Sequence, residues 1–394
     1  MMVTSRFQRC LRFWSGHLLL LNLVLFGLVC LLYGNLGLVG HGYVYAKYAR
    51  DFRLGFLSVS DSAPGVENVL LPGLAAAFRT LVTALGFEYT DTIFIVFAAI
   101  PYALFIYGVT RHISRCSRGG RLLAMAAAIA LYTSGMIPYM TSWGGYVDGL
   151  SYLLILPVFV WPESLLVYAA AFVLQCANHY LGALAQLLFA FVWYSVRALD
   201  QTETRASALR HWLATFVPRA VLSVAILAAF IWFWETYYPD VARIRQEIAM
   251  EKWQNPEGVL QEVLTRFPWT LLSTVKLAVV PVAALMLAVL PRKGLRMLVL
   301  GTPFLAAAAL TFVFLDITRM ATMLVMPAFL MTMLAAGTNS ALPTRVRRPL
   351  RRLLIVTALL NLLIPNYYVN NGNIVVPESR AIGFMISNLI GLID

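Results

Sequence analysis

Residues Thr141–Tyr152 read TSWGGYVDGLSY, and an apolar run, Leu150–Val160, opens before that stretch has ended. One carboxylate, Asp148, therefore stands between a glycine-rich turn and the mouth of an apolar segment. An ionisable group is costly to keep there, which makes it a candidate functional residue by default. The competing reading is a helix N-cap, because Asp followed by Gly and Ser is good capping chemistry. The surroundings of the stretch decide the fold class. The chain has 394 residues, 60% of them hydrophobic and 12% charged, with a mean hydropathy of +0.77. Soluble domains carry about 25% charged residues, so the sequence describes an all-α polytopic membrane protein.

A spanning helix needs about 20 mainly apolar residues. On that measure there are about eleven transmembrane helices. They are Leu18–Val39, Thr92–Val109, Leu122–Pro138, Leu150–Val160, Ser164–Ala177, Leu181–Val196, Ala220–Trp234, Thr270–Leu290, Met297–Leu315, Met320–Ala336 and Leu353–Pro365. The first follows Arg6, Arg9 and Arg12 as a signal peptide would. It has no small-residue cleavage site after it, and it reads as an uncleaved span. The cysteines Cys10, Cys30, Cys116 and Cys176 lack metal-ligand spacing and show no disulfide framework.

The net charge of +12 raises the question of nucleic acid, and its distribution answers in the negative. Basic residues sit in short clusters between apolar runs, as the positive-inside rule requires. With the N-terminus inside, the cytoplasmic segments hold nineteen basic residues against three acids, Glu163, Asp200 and Glu203. The opposite side holds ten basic residues and fifteen acids.

Two outer segments are long, residues 40–91 and 235–269. Tyr43–Phe56, Pro72–Gly86 and Asp240–Trp253 read as helices lying in the interface plane, the second closed by Gly86 as a C-cap signal. No internal repeat of the inverted-transporter kind is visible. Residues 1–394 thus form one membrane domain with an outward-facing cap.

The polar residues at the outer ends are the informative set. His41 and His179 are the two histidines on that side, His179 lying in a turn with Asn178 and Tyr180. Asp316 and Arg319 are spaced i, i+3, which puts them on one helix face. They form either a mutually neutralising pair or an arginine that grips a phosphate, positioned by its aspartate. Arg243 and Arg245 offer further phosphate contacts or a solvated amphipathic face. No P-loop, Rossmann fingerprint, zinc motif or nucleophile elbow is present. A carboxylate, a histidine and arginines on one membrane face suit chemistry on a lipid-linked phosphate. The carboxylate would act as general base on an acceptor hydroxyl, and arginines would stabilise the departing phosphate.

The layout resembles the GT-C-type membrane glycosyltransferases. Gly40-His41-Gly42-Tyr43-Val44-Tyr45-Ala46-Lys47-Tyr48-Ala49-Arg50 is similar to the family's acidic pair, tyrosine and Ala-Arg pattern. Leu71-Pro72-Gly73 followed by Leu85-Gly86-Phe87 is similar to its proline-to-glycine stretch, and Asp148 stands where many members place a second acid. The resemblance implies a polyprenyl-phosphate-linked sugar donor and a lipid-linked or envelope glycan acceptor, among membrane lipids. It also implies the bacterial inner (cytoplasmic) membrane, with the active face periplasmic or extracellular. Where the family has its acidic pair, this chain has Gly40-His41. The catalytic role then passes to Asp148 or to Asp51, or the activity is not glycosyl transfer. His41, Tyr45, His179, Asp316, Arg319, Arg243 and Arg245 are the expected substrate-binding residues. No cofactor is certain. A divalent metal, Mg or Mn, is the one candidate, and the missing pair removes the oxygen ligands that hard cations want. The rival readings are an O-antigen-type polymerase or ligase, a transporter or flippase, and a non-catalytic subunit of a polysaccharide assembly complex. Lys276 is the main charge inside a span.

Overall fold

The computed structural model describes residues 13–14, 16–33, 45–47, 49–50, 69–116, 120–136, 146–201, 204–239, 261, 265, 269–289, 294–311, 317–337, 344–364, 368–370 and 373–375. Their helices, in chain order, are α1 Leu18–Tyr33, α2 Leu70–Ala84, α3 Asp91–Cys116, α4 Gly120–Tyr132, α5 Asp148–Val160 and α6 Leu165–Asn178. They continue as α7 Tyr180–Gln201, α8 Arg205–Tyr237, α9 Val279–Val289, α10 Gly294–Thr311, α11 Ile317–Gly337 and α12 Thr344–Asn361. Among the described residues one antiparallel hairpin, β1 Tyr368–Asn370 with β2 Asn373–Val375, accompanies the helices.

Five of the described helices are long and apolar enough to cross a membrane: Asp91–Cys116, Tyr180–Leu199, Ala206–Tyr237, Trp269–Met286 and Thr318–Gly337. The other apolar helices are shorter. α11 is the centre of the bundle. Its apolar window is 94% buried, against 11% for α8, whose sides are left for lipid. α11 packs against α7, α10 and α12, filling the interior with methionine, alanine and threonine side chains. Small and flexible side chains of this kind let helix backbones approach closely.

Several helices differ from the hydropathy expectation, each for a local reason. α4 stops at Tyr132 instead of Pro138. The Thr133 hydroxyl donates to the Ile129 carbonyl and the Ser134 hydroxyl to that of Leu131, while the Gly135 amide leaves the ladder for the Thr274 carbonyl, 2.7 Å away. Hydroxyl side chains that bond backward compete with a helix in this way. α8 starts at Arg205, capped by the Thr204 hydroxyl, and α12 starts at Thr344. Both are longer than expected because charged turns that a hydropathy window rejects still continue the helix.

The expected span Thr270–Leu290 is interrupted. Lys276–Ala278 is a 3₁₀ turn, and Lys276 has φ +49° with its side chain buried. Asn361 at the end of α12 repairs the break: its Oδ1 accepts from the Leu277 amide at 2.9 Å, and its Nδ2 donates to the Val275 carbonyl at 3.3 Å. The Lys276 ammonium donates to the Ile364 carbonyl at 2.6 Å. Irregular backbone at membrane depth is tolerated where protein re-satisfies the freed groups.

α5, α6 and α7 are joined by side-chain amides. Asn178 donates to the Val147 carbonyl and the Ser151 hydroxyl, both at 2.9 Å, and Gln175 donates to the Ser151 carbonyl at 2.8 Å. Gly182 lets α7 approach. A Cβ at that position would lie 2.1 Å from Gln175 Oε1 and 2.5 Å from Ser151 Oγ. At the far end of the same helices Arg219 clamps the 161–164 turn. It donates to the Glu163 carbonyl at 2.8 Å, its guanidinium lies 4.5 Å from the Tyr194 ring centre, and Arg197 pairs with Glu163.

Described parts of the first long connecting segment pack at the Asp148 end. Tyr45, Ala46 and Ala49, with Leu71 and Ala75 of α2, pack on Phe94, Ile95 and Ala98 of α3 and on Val147 and Leu150. α2 covers most of the expected helix Pro72–Gly86 and closes as expected at Gly86. There φ is +83°, with Gly86 donating to the Thr83 carbonyl and Phe87 to that of Val82, a Schellman closure. The expected helix Asp240–Trp253 lies outside the described residues.

Overpacking a close contact costs about 1–3 kcal/mol. Gly182→Val is therefore expected to lower the unfolding midpoint in detergent by several degrees relative to Gly301→Val, whose nearest neighbour is 3.4 Å away. A thermal melt followed by tryptophan fluorescence checks this.

Candidate functional site

α5 begins at Asp148, and the N-cap position belongs to Val147, which makes no side-chain capping bond. This corrects the capping reading of Asp148. The carboxylate instead reaches across to α11, where Arg319 Nη1 donates to Asp148 Oδ2 at 3.2 Å. The two side chains are 1% and 10% exposed, so this is a buried ion pair, between residues 171 positions apart. Arg319 thus has a long-range partner in Asp148. Asp316 lies outside the described residues.

Local structure opposes this arginine. Arg319 falls in the first turn of α11, where the helix dipole presents its positive end and disfavours a cation. Three neighbours hold it there. Asp148 supplies the counter-charge, and the Tyr146 ring lies under the guanidinium at 4.9 Å. Thr318, the preceding residue, is tied by its hydroxyl to Ser273 Oγ at 2.8 Å. A cation over an aromatic face in a desolvated setting gains about 2 kcal/mol. Tyr45 packs against Tyr146, with ring centres 6.5 Å apart in an edge-on arrangement.

Asn178 brings a further element to the site. Its bond to the Val147 carbonyl seats the α6–α7 turn, and with it half-buried His179, beside the start of α5. Three buried acceptors here take no hydrogen bond: Asp148 Oδ1, Asn178 Oδ1 and Gln175 Oε1. Buried acceptors are normally satisfied. A hydroxylated ligand or water at this end of the bundle would satisfy them.

The structure thus brings Asp148, Arg319 and Tyr45 together and seats His179 at their margin. Asp51, His41, Asp316, Arg243 and Arg245 lie outside the described residues. Tyr146, Ser151 and Gln175 are site residues that the sequence reading passed over. The visible signal was Gln175 and Asn178 at helical spacing in an apolar run. Arg50, from the Ala-Arg pattern, pairs with Asp91 at 3.0 Å, both about half exposed, and Arg79 donates to the Arg50 carbonyl. Burial pushes the nearby Tyr89 hydroxyl up to about 12. These contacts tie Arg50 and α2 to the start of α3. An exposed pair of this kind is worth about 0–1 kcal/mol. One Asp148 oxygen is committed to Arg319, and no group of three His, Cys, Asp or Glu side chains forms among the described residues.

Comparison with protein families, curated proteins and solved structures returns no match to this chain.

Removing one member of a buried pair leaves an uncompensated charge and costs about 3–5 kcal/mol, whereas replacing both by apolar groups is often neutral. Arg319→Met and Asp148→Leu are each expected to lower the melting midpoint markedly. The double variant should recover most of that loss. Thermal melts of the three variants and the parent measure the coupling.

Proposed function

We propose that this chain is a membrane-embedded glycosyltransferase of the GT-C layout, transferring sugar from a polyprenyl-phosphate-linked donor to a lipid-linked or envelope glycan. In this reading it has eleven spans and a cytoplasmic N-terminus. The Asp148 end faces the outer side of the bacterial inner membrane. The observation that supports the reading is the buried Asp148–Arg319 pair at the meeting of two helix starts, roofed by Tyr146 and Tyr45. An arginine in the first turn of a helix, held by a carboxylate that can let it go, suits an incoming phosphate.

The chemistry follows from an exchange of partners. The donor phosphate takes the Arg319 guanidinium from Asp148. The freed carboxylate accepts the proton of the acceptor hydroxyl while that oxygen bonds to the anomeric carbon. The bond from anomeric carbon to phosphate oxygen breaks, and its electron pair leaves on the phosphate, where Arg319 stabilises it. Tyr45 and His179 orient the sugar, and Arg243 and Arg245 add phosphate contacts.

Reconstituted protein given a polyprenyl-phosphate sugar tests this. Arg319→Lys and Asp148→Asn are expected to lower kcat/KM by about 10²-fold or more, with folding checked by gel filtration. Normal surface glycan in a deletion strain complemented with the Asp148→Leu/Arg319→Met double variant would sink the assignment.

One observation favours a second reading, transport of a lipid-linked glycan. The Trp269–Met286 helix is broken at a buried lysine, a feature that marks substrate paths in transporters. Proteoliposomes separate the two readings. Movement of a labelled lipid-linked sugar across the bilayer without any new glycosidic bond establishes transport, and transfer without movement establishes the enzyme.

A further inference from the structure

α12 and α9 enclose an open groove of about 540 Å³, remote in sequence from every residue of the Asp148 site. Leu285 of α9 and Pro349, Leu353 and Val356 of α12 give it aliphatic walls, and Arg345 and Arg352 stand among them. The sequence of α12 explains the arrangement. TRVRRPLRRLLIVTALLN places all five of its arginines in the first half and a run of aliphatic residues after them. Such a helix enters a bilayer with its basic turns at the headgroups and its remainder among the acyl chains.

Arg345 and Arg352 are seven residues apart, so they share a face and are separated by about 10 Å along the axis. The groove face therefore carries two cations about two helical turns apart, with hydrocarbon beside and beyond them. Neither α9 nor α12 contains an acidic residue that could neutralise them. Both side chains are exposed.

We infer that the α9–α12 groove binds an anionic phospholipid of the surrounding bilayer. Arg345 and Arg352 contact its phosphate, and its acyl chains lie along Leu353, Val356 and Leu285. A zwitterionic lipid has the same chains and phosphate, but its own cation offsets the attraction. Discrimination by net headgroup charge is thus the property that separates this site from general lipid contact.

The test uses the purified full-length chain, delipidated in a non-ionic detergent and titrated with dioleoylphosphatidylglycerol or dioleoylphosphatidylcholine. The readouts are bound lipid by native mass spectrometry and the melting midpoint. The expected result is saturable phosphatidylglycerol binding that raises the midpoint and weakens by about tenfold or more in the Arg345→Gln/Arg352→Gln variant. Arg348→Gln, an exposed arginine outside the groove, should bind as the parent does. Both substitutions are on the surface, so loss of fold does not confuse the comparison. Equal binding of phosphatidylcholine, or undiminished phosphatidylglycerol binding by the double variant, overturns the inference. So does undecaprenyl phosphate displacing phosphatidylglycerol at equal concentration, since the groove then belongs to a single-headed polyprenyl lipid.

Discussion

The ion pair between Asp148 and Arg319 joins the first half of the chain to the second in a place where neither charge can stand alone. Each side chain is nearly dehydrated, and an isolated charge in that setting costs several kcal/mol. Once both are present, α5 and α11 must meet with their starts at the same end. The rest of the site is arranged around that requirement. Tyr146 stacks under the guanidinium because it lies two residues before Asp148. Thr318 is locked to Ser273 because it lies one residue before Arg319. A pair of this kind is weak evidence for added stability and better evidence for specificity of arrangement. Here its components also run against the local helix dipole at Arg319, a conflict that proteins keep mainly at sites they use.

Polar side chains supply the remaining long-range order. Association of helices in lipid gains little from the hydrophobic effect, so packing of small residues and interhelical hydrogen bonds carry it. Asn178 and Gln175 fasten α6 to α5 at one end, and Arg219 fastens α8 to the 161–164 turn at the other. Asn361 does the same for the broken helix at Lys276, where it replaces the bonds that a left-handed backbone gives up. In each case a residue with several donors or acceptors bridges to the backbone of another element.

The two ends of the bundle therefore differ in kind. One gathers a buried carboxylate, an arginine, unsatisfied acceptors and an amphipathic cover. The other gathers mostly exposed arginines around helix ends, with buried Arg219 holding Glu163 in its turn. Arginine stands at both ends, and burial separates the two settings. Arg319 is enclosed and countered by Asp148, whereas Arg345 and Arg352 are open and meet no acid on their own helices.

Much of this was legible along the chain. The apolar runs announce membrane helices, and α2 with its Gly86 closure is readable because capping depends on neighbouring residues alone. Asp148 and Arg319 each stood out as a charge at the mouth of an apolar run. The helix ends were less legible, since α8 and α12 extend through arginine-rich turns that hydropathy discounts. The break at Lys276 was not legible at all, because its hydrogen-bond partners come from Asn361 and Ile364. By itself the sequence determined an all-helical membrane chain, with its few charges gathered at the ends of the runs. Only the tertiary structure decided that Asp148 pairs with Arg319 and is not a cap. Local spacing favours nearby partners, whereas a buried charge takes whichever counter-charge the packing of distant helices delivers.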